Sequence, residues 1–206
     1  MAKRGLFITF EGPEGSGKST HSRLLCDFLR KKGYKVLYTR EPGGTYISEK
    51  IRKILLDPRN KDMNVVCEML LYMAARAQIV KEVIAPALKK GKIVVCDRFL
   101  DATTVYQAYA GGLDVKVIRD IGDLVTERRL PDITFLLDID AEKGLRRAGK
   151  TKDRIERKSL IFHRAVRKGY LNIAKKEPGR VKVMQAIGDI QETQDKIKKA
   201  VLKLCR

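Results

Sequence analysis

Nine residues near the amino end, Gly12-Pro13-Glu14-Gly15-Ser16-Gly17-Lys18-Ser19-Thr20, fit the spacing G-x-x-x-x-G-K-[ST]. Glycines at these places let the backbone turn so that successive N–H groups point into one concavity. A helix beginning directly after it adds positive potential where a phosphate chain would lie. Lys18 is spaced to reach the β and γ phosphates of a nucleoside triphosphate, and the Ser19 hydroxyl to take a place on Mg²⁺. A second acid, Asp97, closes the apolar run Ile93 to Cys96, with Arg98 beside it. In proteins with such a cradle, an Asp at the tip of a neighbouring strand holds Mg²⁺ directly or through water. A helix cap or turn is the plainer use of the same residue. Arg98 would stand at the carboxyl edge of a sheet, where open α/β sheets bind ligands, and its fork suits a second phosphate.

Five short runs rich in Val, Ile and Phe must position these groups: Leu6 to Phe10, Lys35 to Tyr38, Ile93 to Cys96, Ile133 to Leu137 and Val181 to Met184. Each is almost continuously apolar, as strands covered on both faces are, and helical stretches separate them. Crossover connections and a parallel sheet follow. The helices are read over Lys18 to Lys32, Ile47 to Leu56, Asn64 to Lys90, Ala102 to Ala110, Val115 to Glu127, Ala141 to Arg147, Arg154 to Lys175 and Ile190 to Leu204. Gly33 and Gly91 are placed to end helices, and Asp189 to cap the last one. The expected fold is α/β: a five-stranded parallel sheet with helices on both faces, a three-layer P-loop NTPase-like architecture. The polar stretch Ala148 to Asp153, AGKTKD, contains glycine and no hydrophobe. It is read as an exposed mobile loop within one domain spanning residues 1–206, the tip of a basic lid covering about residues 146–154.

The 206 residues carry 44 Lys plus Arg against 25 Asp plus Glu, a formal charge of +19, which raises the question of a polyanionic partner. Residues 142–182 hold 15 basic and 4 acidic side chains, a net +11, so most of the excess sits in this one segment. A nucleic-acid stripe, a lid over phosphates and a solvated helix face are the three readings of such a segment. Cys26, Cys67, Cys96 and Cys205 are scattered without a C-x-x-C pair, so reduced thiols and a cytoplasmic location are expected. No apolar run is long enough for a membrane span, and the apolar start is too short for a secretory signal. His21 and His163 have no partner pattern and are read as surface or packing residues.

Three further segments narrow the chemistry: REPGGT at Arg40 to Thr45, LLYMAAR at Leu70 to Arg76 and DRFLDATTVYQ at Asp97 to Gln107. On helices, Tyr72 and Arg76 stand at i and i+4, as do Thr103 and Gln107. A ring and a guanidinium on one face can stack on a base and donate to its carbonyl. Core or interface packing is the other use of such an aromatic, and a polar surface the other use of Thr103. Together with Glu14 and with DRIE at Asp153 to Glu156, these segments make the chain closely similar to the thymidylate kinase family of nucleoside monophosphate kinases. The resemblance runs over nearly the whole length.

That resemblance implies transfer of phosphate from ATP to dTMP with Mg²⁺, in a homodimer, without nucleic acid or membrane. It places thymine against Tyr72 and Arg76, with Thr103 and Gln107 near the pyrimidine edge and the Tyr106 ring beside the sugar C2′, disfavouring a ribose. It turns Glu14 toward the acceptor sugar and its 3′-hydroxyl, and assigns Arg40 and Arg98 to the acceptor and Ser19 and Asp97 to the metal. Some members carry an arginine within the cradle where this chain has Gly15, so the missing charge is expected from Arg146, Arg147, Lys150, Lys152 or Arg154. Of these, Arg154 with Lys18, Asp97 and Arg98 forms the expected catalytic set, and Arg147 or Arg146 is expected to stack on adenine. The segment Gln185 to Gly188 is expected to border the adenine, departing from the family's Asp-Gly at Gln185 and Ala186. Two alternatives stay open: a kinase accepting further monophosphates such as dUMP, because one methyl group discriminates by only about 1–3 kcal/mol, and a nucleic-acid-binding P-loop ATPase.

Overall fold

The computed structural model describes residues 5–149 and 152–205. Five parallel strands, β1 (Leu6–Glu11), β2 (Val36–Arg40), β3 (Ile93–Asp97), β4 (Ile133–Asp138) and β5 (Val181–Gln185), lie in the order β2-β3-β1-β4-β5. Alternation along β1 sends neighbouring side chains to opposite faces. Ile8 and Phe10, with Val95, Phe135 and Leu137, pack on Leu25, Leu29, Ile197 and Val201. These last four belong to α1 (Lys18–Lys31) and α9 (Ile190–Leu204). Phe7, Val94 and Cys96 face the other way onto Met69, Met73, Ile84 and Ile118, from α3 (Val65–Ile79), the turn after it and α6 (Val115–Thr126). Leu136 of β4 meets Val166 and Tyr170 of α8 (Leu160–Lys176) on that same side. Three layers result, as the sequence pattern requires.

All five expected strands form, and each extends at least one residue further toward its carboxyl end. The added residues include Glu11, Arg40, Asp97 and Asp138. Propensity scores against these polar residues, but the ladder carries them because their side chains leave the sheet at the edge where the site lies. In register, Asp97 pairs with Phe10 on one side and Arg40 on the other. The remaining helices are α2 (Tyr46–Leu56), α4 (Ala85–Lys89), α5 (Leu100–Thr103) and α7 (Ala141–Arg147). Gly33 and Gly91 adopt φ of 83° and 69° after their helices, and Asp189 Oδ1 accepts from Gln191 N at 2.8 Å.

Three expected helices are corrected. The long Asn64 to Lys90 helix is broken: α3 widens into a π turn, Val80–Ile84, before α4. Pro86 stands at the head of α4, where it lacks the N–H and the space that an unbroken α-helix would need. The Ala102 to Ala110 helix begins earlier, as α5, and becomes a π turn over Thr104–Tyr109. Residues 154–159 are turns rather than helix. The helix starts at Leu160, because Ser159 caps it by accepting from Phe162 N at 3.2 Å. His21 and His163 are both buried, so their surface reading fails and their packing reading stands. Cys26 and Cys96 are buried free thiols, Cys67 is exposed and Cys205 half-buried. Among the described residues no helix is long and apolar enough to cross a membrane.

Candidate active site

The loop between β1 and α1 wraps around the Lys18 ammonium. Nζ donates to Gly12 O at 3.0 Å, Pro13 O at 2.7 Å and Ser16 Oγ at 3.3 Å. A side chain at Gly12 would run into the Leu137 carbonyl of β4, and one at Gly15 into the Gly144 carbonyl of α7. Both residues also have positive φ, 142° and 66°. At position 15, α7 itself thus leaves no room for a side chain. Burial pulls the Lys18 ammonium down to about 8, assisted by Arg98 and resisted by Glu14, Asp97 and Glu11. Ser19 Oγ donates to Asp97 Oδ2 at 2.5 Å across the loop and the strand end. One hydroxyl and one carboxylate, both hard oxygen donors, suit a Mg²⁺ that takes its other ligands from phosphate and water.

Beyond the loop lies a cavity of about 360 Å³. Its wall includes Glu14, Gly15, Gly17, Lys18, Ser19 and Thr20 on the loop side, with Arg40, Tyr72, Arg76, Asp97, Arg98, Thr103, Tyr106 and Gln107 across from them. Gly12, Pro13 and Ser16 lie behind the loop surface as acceptors for Lys18. Residues more than 80 positions apart therefore share one space. The Glu14 carboxylate, an odd neighbour for phosphate, is turned aside: Arg98 Nη2 and the Tyr106 hydroxyl both donate to its Oε1 at 2.7 Å. Burial alone would raise it, but Arg98, Lys18 and Tyr106 outweigh that and hold it at about 2. Arg98, at φ 69°, also reaches the Tyr170 hydroxyl at 3.2 Å and lies 5.1 Å from the Tyr106 ring centre.

Arg76 is buried and spends most of its five donors on protein. Nε donates to Glu41 Oε2 at 2.7 Å, Nη1 to Thr103 Oγ1 at 3.0 Å and to the Met73 sulfur, and Nη2 to the Phe99 carbonyl at 2.9 Å. One Nη2 hydrogen is left for a ligand carbonyl. Tyr72, one turn earlier, lies half-buried along the cavity. Arg40 pairs with Glu49 at 3.3 Å on the open side.

The basic segment behaves differently from expectation at one point. Arg154 is not poised over the cavity: it is 5 % exposed, paired with Glu68 Oε2 at 2.5 Å, and donates through Nε to the Leu55 carbonyl at 2.7 Å. The turns at residues 154–157 carry it onto Leu55 of α2 and Glu68 of α3. Arg147 reaches the Ala186 carbonyl at 3.2 Å, which joins α7 to the 185–188 segment. Arg146 pairs with Glu142 on the surface. Lys150 lies outside the described residues. Farther on, Lys158 pairs with Glu68, Arg167 with Asp138, and Arg180 with Asp101 and Glu177. These cations are turned onto carboxylates of the chain.

Sequence reasoning missed Arg52, which lines the cavity and donates to the Pro42 carbonyl at 2.9 Å, and Tyr170, which bridges Arg98 to Glu11 Oε2 at 2.8 Å. Arg52 stands four residues before Leu56, another cavity residue, and that helical spacing after REPGGT was the available signal. Tyr170 had none, since an aromatic in an amphipathic helix reads as core.

The model of the family described as thymidylate kinase matches residues 10–197. The chain belongs to the thymidylate kinase family. The thymidylate kinase of Symbiobacterium thermophilum is 49% identical over 197 residues, covering 95% of this chain and 92% of that protein. That of Geotalea uraniireducens is 47% identical over 206 residues, covering 96% and 97%. The crystal structure of thymidylate kinase from Ehrlichia chaffeensis superposes with a TM-score of 0.80 at 36% identity, covering 97% of this chain and 99% of that one. This family membership disfavours the nucleic-acid-binding ATPase alternative.

Proposed function

We propose that this protein transfers the γ-phosphoryl group of ATP to the 5′-phosphate of dTMP, giving ADP and dTDP. The observation that carries the reading is the single cavity in which Lys18 and the glycine loop face Arg98, Arg76 and Gln107. An oxygen of the acceptor phosphate forms the new bond to the γ-phosphorus, and the bond from that phosphorus to the bridging oxygen of ADP breaks. Lys18 leaves its loop carbonyls for the β and γ phosphates, while Arg98 holds the acceptor phosphate in line. Ser19 and Asp97 would hold Mg²⁺, which would offset charge on the phosphates. Glu14 fixes Arg98 and presents its second oxygen toward the acceptor sugar, and Tyr106 bounds that sugar on its other side.

In this reading residues 146–154 form the lid of a single-domain protein. Since Arg154 is committed to Glu68, the lid's phosphate charge falls to Arg147 and Lys152, which have no carboxylate partner among the described residues. The enzyme works as a homodimer in the cytoplasm, joined through the outer face of α3. Val66 and Leu70 there are 45 % and 50 % exposed. ADP release measured over a panel of nucleoside monophosphates tests the assignment. The highest kcat/KM is expected for dTMP, with dUMP within the range one methyl group allows, about tenfold to 200-fold lower. ADP release that does not depend on dTMP would overturn it.

A further inference from the structure

Behind the cavity wall, Glu68 of α3 is 1 % exposed and receives three donor residues from two parts of the chain. Arg154 meets its Oε2 at 2.5 Å, Lys158 Nζ lies 3.2 Å and 3.3 Å from its two oxygens, and Gln107 Nε2 donates to Oε1 at 2.8 Å. Of these donors only Gln107 lines the cavity. A carboxamide has two ends of opposite hydrogen-bonding sense, and a side chain with no directing partner presents either. Glu68, set between two cations, is a carboxylate and can only accept. It therefore binds the NH₂ end of Gln107 and leaves Oε1 for the cavity, where no described residue donates to it.

We infer that Glu68 is a positioning residue that sets the acceptor-base specificity of the site by fixing which end of the Gln107 amide faces the ligand. An acceptor at that place matches a pyrimidine whose ring N3 carries hydrogen, as in thymine and uracil. It opposes cytosine, whose N3 is itself an acceptor. Two acceptors facing each other without water leave both unsatisfied, and this is the kind of mismatch by which buried polar sites discriminate strongly. Arg154 and Lys158 hold the carboxylate in place, so these two basic residues act on specificity through Glu68. The inference rests on the reading of the cavity as the acceptor site.

The test compares kcat/KM for dTMP and dCMP at saturating ATP. In Glu68→Gln, the new carbonyl is drawn to Arg154 and Lys158 and the new NH₂ faces Gln107, whose amide turns over and presents its NH₂ to the ligand. The dTMP-to-dCMP ratio is expected to fall at least about tenfold, mainly through KM: up for dTMP, down for dCMP. Glu68→Asp keeps the charge between the cations, which protects the fold, but withdraws it from Gln107 by one methylene. A smaller fall in the same direction is expected. In a Gln107→Met background, where no amide remains to be turned, Glu68→Gln should leave the ratio where Gln107→Met put it. An unchanged ratio in both Glu68 variants overturns the inference, even if both activities fall together, because that pattern is a structural effect. So does an equal change of ratio without Gln107. A wild-type enzyme inactive toward dTMP would instead refute the reading of the cavity.

Discussion

Lys18 shows how far a single residue's surroundings can preset a binding step. Its ammonium sits in a loop built for phosphate, is desolvated there, and donates to carbonyl oxygens that only partly replace the lost water. With the group held at about 8 in the ligand-free protein, it is largely protonated at neutral pH and largely neutral above pH 9. A triphosphate requires the charged form. ATP binding above pH 8 therefore takes up a proton at Lys18, and affinity is expected to drop about tenfold for each pH unit above that point. Titration calorimetry in buffers of different ionisation enthalpy would report both the proton uptake and the weakening. A pH-independent Kd between 7 and 9.5 would exclude this account. Glu14 adds nothing to that profile, since its carboxyl at about 2 is ionised throughout. At this scale the sequence was most legible where backbone geometry dictates residue type. The cradle needs its glycines and lysine in fixed places, and the spacing alone located them. The partners of Arg154 and Gln107 could not be found in that way, because Glu68 lies 39 positions from Gln107 and carries no motif of its own.

The elements bring loop and helix together through a contact between two backbones. A Cβ on Gly144 would run into the Glu14 carbonyl, just as one on Gly15 would strike the Gly144 carbonyl, so α7 and the cradle touch without side chains between them. Gly144→Ala must push the two apart. Overpacking of this kind costs about 1–3 kcal/mol, and here the displacement lands on the phosphate loop and on Arg147, which α7 carries. The expected result is about a tenfold or greater loss of ATP affinity with a melting temperature lowered by only a few degrees. A variant with wild-type ATP affinity would show that the loop tolerates the shift. Strands were legible in the sequence because their faces are apolar on both sides. Their polar last residues were not, since Asp97 and Arg40 belong to the site rather than the core. The π turns at Val80–Ile84 and Thr104–Tyr109 also escaped, because widening a turn by one residue leaves the local apolar pattern intact.

Across the whole molecule, +19 remains after every carboxylate is counted, even though Arg154, Arg167 and Arg180 each reach a carboxylate over a long sequence distance. The surface also leaves apolar side chains uncovered: Val66 and Leu70 on α3, and Val117 and Leu124 on the neighbouring α6, with Leu124 77 % exposed. If the proposed homodimer forms through this face, Leu70→Glu is expected to leave a monomer at micromolar concentration by light scattering, since a charge buried in a paired apolar face costs several kcal/mol per copy. A variant that stays dimeric places the interface elsewhere. The order β2-β3-β1-β4-β5 also bears on how the protein is made. The strand that leads into the phosphate loop is translated first but occupies the centre, and Gly12 rests against the Leu137 carbonyl of a strand that begins only at Ile133. A nascent chain on the ribosome thus carries the nucleotide motif before any of the other four strands, yet has no floor on which to close it until β4 has emerged. Incomplete chains released before that point would hold the motif without the pocket, and so could not draw on ATP as a folding ligand.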